Sequence, residues 1–168
     1  MVVREDRIRR PDGSEGIYGV IDKPDYALVI ALDTGPDPDS DRLMLVEQYR
    51  YPLGLRRWEF PQGTAPDRAD SEPFALARRE LTEETGLRAE ELTELGLLDV
   101  APGAMSQRGR VFLATGLTEG EPDREHSEQD MRAAWFTRAE VRTMIRDGRI
   151  TDAQSLAAFT LLLLHEQS

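Results

Sequence analysis

The sequence contains no cysteine, so it can build neither a disulfide framework nor a thiolate metal site. Histidine is almost as scarce, and His126 has no second histidine at ligand spacing, which leaves it a poor metal ligand in a polar loop. Nothing near the N-terminus resembles the apolar core of a signal peptide. The C-terminal run Leu161-Leu162-Leu163-Leu164 is far too short to span a bilayer and belongs to an amphipathic helix. Positive charge is in deficit: 21 Lys and Arg against 32 Asp and Glu give a net charge of −11. That balance argues against the basic surface of a nucleic-acid binder. Internal repeats and low-complexity segments are also missing. A soluble cytoplasmic protein with neither a nucleic-acid nor a membrane partner is the expectation.

With 168 residues and 39% apolar content, the chain suits one domain with a sizeable core and leaves no room for a second. Segments 2–9, 16–22 and 27–33 read as strands, separated by turns at Pro11-Asp12-Gly13 and Lys23-Pro24-Asp25. They predict an antiparallel unit over residues 1–35, ahead of a core over 41–168. A buried strand follows at 43–50, ending in Gln48-Tyr49-Arg50, and further strands are expected at 92–100, 110–115 and 131–136. Thr137-Arg138-Ala139-Glu140 is a capping box that opens a helix to about Arg146, stopped by Asp147-Gly148. Thr151 caps the last helix, with Ala153, Leu156, Ala157, Leu161 and Leu164 as core candidates.

The chain is organised around residues 63–87. Phe74, Ala77 and Leu81 share one stripe at helical spacing, Ser71 reads as N-cap with Pro73 just inside, and Gly86 supplies a left-handed stop. At about 100° per residue, Glu80 and Glu84 fall within roughly 40° of each other beside the stripe, with Glu83 a little further round and Arg79 facing away. Two such charges about 5 Å apart repel by ~3 kcal/mol at an effective dielectric near 20, so a partly buried cluster calls for a cation. Hard carboxylate oxygens select Mg²⁺ or Mn²⁺. A Glu-rich helix taken alone is more often a solvated face; spacing and flanks favour the cation here.

Those flanks carry a resemblance. Arg79-Glu80-Leu81-Thr82-Glu83-Glu84-Thr85-Gly86-Leu87 resembles the end of the Nudix box, the signature of hydrolases that cleave nucleoside diphosphates linked to another group. The upstream half departs from the pattern: Ser71 stands where the first box glutamate belongs, the gap back to Gly63 is two residues longer than usual, and Glu72 is placed to substitute. Gln48-Tyr49-Arg50, Trp58-Glu59-Phe60-Pro61-Gln62-Gly63, Pro102 sixteen residues beyond Gly86, and Gly148-Arg149-Ile150-Thr151-Asp152-Ala153-Gln154-Ser155-Leu156 are similar to the ADP-ribose pyrophosphatase branch.

The resemblance implies a Nudix α/β/α sandwich with a mixed sheet and additional N-terminal antiparallel strands that exchange across a homodimer. It implies Glu80, Glu84 and the carbonyl of Gln62 as metal ligands, and catalytic positions at Glu83, Arg79 and an acidic-loop carboxylate, Glu128 in preference to Glu125. Arg50, Pro102 and Gln107 would meet substrate, Gln107 replacing the branch's ribose-contacting glutamate. Without the resemblance, Arg50 reads equally well as an ordinary ion pair, Pro102 as a turn proline, and the loop glutamates as solvated. The activity implied is Mg²⁺- or Mn²⁺-dependent hydrolysis of ADP-ribose to AMP and ribose 5-phosphate. The alternatives are hydrolysis of another ADP-sugar or dinucleotide, or a non-catalytic nucleotide-sugar sensor; retention of Glu80, Glu83 and Glu84 argues against the sensor.

Overall fold

The computed structural model describes residues 1–38, 40–65, 72–124 and 126–167. The chain begins with an isolated hairpin, β1 (Val2–Arg9) and β2 (Glu15–Asp22), in register from Val2↔Asp22 to Arg9↔Glu15. Its turn is tied by Asp12 Oδ1, which accepts from the Ser14 amide at 2.9 Å and hydroxyl at 2.7 Å.

Next comes β3 (Tyr26–Asp33), and here the expectation needs correcting. The third strand does not extend the N-terminal hairpin. It pairs in parallel with β8 (Arg108–Thr118) at the centre of a seven-stranded mixed sheet. The sequence Tyr-Ala-Leu-Val-Ile-Ala-Leu explains this, because an unbroken apolar run suits a strand covered on both faces. Leu28, Ile30 and Leu32 enter one core cluster, while Ala27, Val29 and Ala31 enter the other.

The remaining strands are β4 (Arg42–Arg50), β5 (Leu55–Glu59), β6 (Gln62–Thr64), β7 (Arg88–Asp99) and β9 (Arg132–Thr137). Helix α1 (Pro73–Thr85) covers one face through Leu76, Ala77 and Leu81; α2 (Arg138–Arg146) and α3 (Ala153–His165) cover the other through Val141, Met144, Ala158, Phe159 and Leu162. The result is the expected sandwich.

Several caps and faces differ in detail from the sequence reading. Ser71 lies outside the described residues; the N-cap of α1 is Glu72, whose carboxylate accepts from the amides of Phe74 at 3.1 Å and Ala75 at 2.8 Å. Phe74 is 38% exposed although it meets Phe112 edge-on, and Leu76 takes its place in the core. Helix α3 is capped by Asp152 instead of Thr151, and its buried residues are Ser155, Ala158, Phe159 and Leu162, a phase the clustered leucines obscured. The capping box at Thr137 and Glu140 is present.

What positions the functional cleft is a fork in the sheet. β3 meets β6 at its first residues, Tyr26–Leu28, but meets β4 only at Leu32 and Asp33. The chain leaves the β4–β5 hairpin at Phe60-Pro61 and joins β3 as β6, with the Val29 amide donating to the Pro61 carbonyl at 2.9 Å. Groups from α1 and from the start of α3, on opposite faces, can therefore reach one opening.

Candidate active site

That opening is a cleft of about 560 Å³ whose walls include Arg50, Glu59, Gln62, Glu80, Glu83 and Glu128. Arg50 ends β4, and its guanidinium grips Glu59 with both arms, Nε to Oε1 at 3.0 Å and Nη2 to Oε2 at 2.8 Å. Glu59 is only 2% exposed. Burial pushes its carboxyl up, and Arg50 opposes that shift. Arg50 is thus at once the ion-pair partner of Glu59 and part of the cleft wall. Gln62 extends the chain of contacts, donating its side-chain amide to Glu59 at 3.1 Å and to Asp152 at 3.2 Å.

On the α1 side, Gly63 is what lets the helix approach: a Cβ there would overlap the carboxylate of Glu80. Arg79, expected to face away from the apolar stripe, is half-buried. It folds back to the Thr64 carbonyl at 3.0 Å, to Glu80 at 2.7 Å and to Glu83 at 3.3 Å. Burial pushes the Glu80 carboxyl up to about 7, with Arg79 opposing and the charges of Glu83 and Glu128 adding to the rise. Glu84 is pushed well above the ordinary carboxylate range, first by burial and then by the charges of Glu128 and Glu80. Its Oε2 accepts the Gln62 amide at 3.1 Å, while its buried Oε1 has no hydrogen-bond partner among the described residues.

This is an excess of buried negative charge with an oxygen left over. Among the described residues no three acidic or histidine side chains close a complete metal cage. The donors present, two helix carboxylates and main-chain oxygens at the Gln62 turn, nevertheless fit a hard divalent cation that fills its other positions from water or substrate.

Glu128 stands at the end of a 3₁₀ turn, His126–Glu128, and reaches the same cleft. Its loop is fastened to the end of α1: Arg124 donates to the Glu84 carbonyl at 3.2 Å and to the Met131 carbonyl at 2.6 Å. At Gly86, in left-handed geometry with φ 78°, a Cβ would overlap the Gly120 carbonyl, so loop and helix end touch there. Glu125 lies outside the described residues. Gln107 lines the cleft and donates its side-chain amide to the Pro24 carbonyl at 2.7 Å. Pro102 is exposed and does not line the cleft; its turn docks on the N-terminal hairpin through Tyr18 to the Gly103 carbonyl at 2.8 Å. Glu59, Asp152, Tyr26 and Arg124 were missed as site residues, although Glu59 and Asp152 fall within phrases that carry the resemblance.

The profile of the NUDIX domain matches residues 25–159, most of the chain and every residue of the cleft lining except Lys23. The chain belongs to the Nudix family. A second profile, the nucleoside diphosphate sugar hydrolase N-terminal domain, matches residues 1–21, the isolated hairpin. The Nudix chain is 36% identical over 156 residues to the ADP-ribose pyrophosphatase of Mycobacterium tuberculosis (strain ATCC 25618 / H37Rv), covering 92% of this chain and 72% of that one. It is 28% identical over 160 residues to the ADP-ribose pyrophosphatase of Bacillus subtilis (strain 168), covering 95% and 83%. A crystal structure of an ADP compounds hydrolase superposes with a TM-score of 0.79 at 21% identity, over 99% of this chain and 87% of the other. The protein is a Nudix pyrophosphohydrolase, of a family whose members generally depend on divalent metal. No helix is long and apolar enough to cross a membrane among the described residues.

Proposed function

We propose that this Nudix enzyme hydrolyses ADP-ribose, releasing AMP and ribose 5-phosphate, with Mg²⁺ or Mn²⁺, and that it works in the cytoplasm as a homodimer. The observation that carries the reading is one cleft lined by the Arg50–Glu59 pair and by Glu80, Glu83 and Glu128, with the buried carboxylate of Glu84 close enough to feel the charges of Glu80 and Glu128. Glu80, Glu84 and the Gln62 main chain would hold the cation. When bound, it neutralises diphosphate charge and polarises a phosphoryl oxygen.

The chain's own groups supply the rest. Arg50, its Nε and Nη2 held by Glu59, turns its remaining guanidinium N–H groups and its positive charge to a phosphate oxygen at the cleft wall. Arg79 holds Glu80 and Glu83 in place from behind. Glu128, on the tethered loop, takes the proton of the attacking water as the P–O bond of the diphosphate breaks. A closely related reading, hydrolysis of another ADP-sugar, is favoured by one observation: the cleft is lined by Gln107, an amide, where the branch resemblance implies a carboxylate.

The dimer reading rests on Val2, Val3, Ile17 and Tyr18, all exposed apolar side chains of the hairpin. Light scattering at micromolar concentration tests it, and a monomeric mass contradicts it. The activity is tested with a panel of nucleoside diphosphate derivatives and triphosphates, comparing kcat/KM. A triphosphate as best substrate overturns the ADP-ribose reading.

A further inference from the structure

Tyr26 opens β3 opposite Gly109 of β8, its partner in the parallel register. The phenol ring lies over that glycine, because a Cβ at 109 would overlap ring carbon and hydroxyl alike. Two strands 83 residues apart in sequence thus form a slot in which the ring is held. Tyr26 lines the cleft, yet it is only 7% exposed, and its hydroxyl is shut from solvent without a partner among the described residues. Phenylalanine would fill the same slot with no stranded polar group.

Asp152 supplies the second half of the observation. Its Oδ2 accepts from the Ser155 amide at 2.8 Å and from Gln62 at 3.2 Å, while Oδ1 makes no hydrogen bond among the described residues. Burial, and after it the charge of Asp152, pushes the Tyr26 phenol far above its ordinary value, so the phenol remains a donor. A sugar hydroxyl can both accept from Tyr26 and donate to Asp152, whereas a phosphate can only accept and would meet the Asp152 charge. The neighbouring lining residues Lys23, Thr64 and Gln107 are polar, whereas the apolar lining residues Pro52 and Leu53 come from the turn after β4.

We propose that Tyr26, seated over Gly109, is a specificity-determining residue that donates to a sugar hydroxyl of the substrate, with Asp152 Oδ1 accepting from the same sugar. The proposal rests on the nucleotide-sugar reading above and names the part of the cleft that reads the sugar.

The test compares wild type with Tyr26→Phe in two ways. Without ligand, Tyr26→Phe melts at or above the wild-type temperature, since it removes a stranded hydroxyl; a clear drop means the fold already satisfies that hydroxyl and overturns the proposal. With ADP-ribose, KM rises about tenfold, the fold-change of one lost hydrogen bond, while kcat changes little. Against ADP-ribose analogues each lacking one terminal-ribose hydroxyl, the variant's penalty disappears for one analogue. A penalty equal across all analogues, or one that instead follows exchange of the base, overturns it. If no nucleotide sugar is cleaved at all, the proposed function fails separately. Tyr26 is then judged by the thermal shift produced by ribose 5-phosphate, where equal shifts in wild type and Tyr26→Phe overturn the proposal.

Discussion

The Gln62 amide donates to Glu84 Oε2 at 3.1 Å, and among the described residues this is the one hydrogen bond to a carboxylate that is 1% exposed. A glutamate kept in that position is costly to the fold, and the cost points to what it does.

Glu84→Gln keeps the acceptor for the Gln62 amide and removes the buried charge. Turnover should fall by roughly 10²–10³-fold, the scale of losing a principal electrostatic contact. The ligand-free variant should melt higher than wild type at pH 8. Calorimetry together with steady-state kinetics checks both. A variant that is less stable yet fully active would contradict the account.

Glu80 gives a pH dependence with a definite sign. Its folded value, about 7, lies above the ordinary glutamate value of 4.5. Its contribution to stability is therefore fully present below pH 4.5 and is lost as pH rises through about 7, an effect of roughly 3 kcal/mol at most. Metal-free protein should lose melting temperature between pH 5 and pH 8, Glu80→Gln should flatten that slope, and added Mg²⁺ should restore stability at pH 8. A slope identical in wild type and Glu80→Gln would place the titration elsewhere.

Arg50→Lys separates two roles. Lysine keeps the charge but cannot reproduce the fork. If Arg50 contacts substrate phosphate, KM should rise more than about tenfold with a smaller change in kcat. Were Arg50 only the partner of Glu59, the melting temperature would drop and KM would stay.

Glu128→Gln should lower kcat by roughly 10²–10⁴-fold, the usual span for general acid–base catalysis, with less effect on KM. Glu125→Gln should be much milder. The reverse ranking would move the proton acceptor to Glu125.

Much of this arrangement is legible in the sequence, for identifiable reasons. Glu80 and Glu84 are four residues apart on one helix that ends at Gly86, so periodicity alone places them together. The Thr137–Glu140 capping box is equally local. What stays hidden depends on register between distant segments. Glu59 becomes the partner of Arg50 only because the β4–β5 hairpin folds back with Val46 opposite Glu59. Charged Arg56 and Arg57 hide β5 from any apolar pattern. Tyr26 acquires its meaning from Gly109, and Arg79 turns inward because the Thr64 carbonyl of β6 awaits it. Thr151 and Asp152 are both competent caps; in the fold Asp152 accepts the Ser155 amide, while the Thr151 hydroxyl accepts from Arg57 of β5 at 3.1 Å.

The measurement that tests the central claim most directly is product analysis of purified protein incubated with ADP-ribose and Mg²⁺, alongside a chelated control and Glu84→Gln. The account predicts AMP and ribose 5-phosphate in equal amounts, formed only with the metal and nearly absent in the variant. Undiminished product from chelated protein or from Glu84→Gln, or no product from wild type with Mg²⁺ or Mn²⁺, would contradict it.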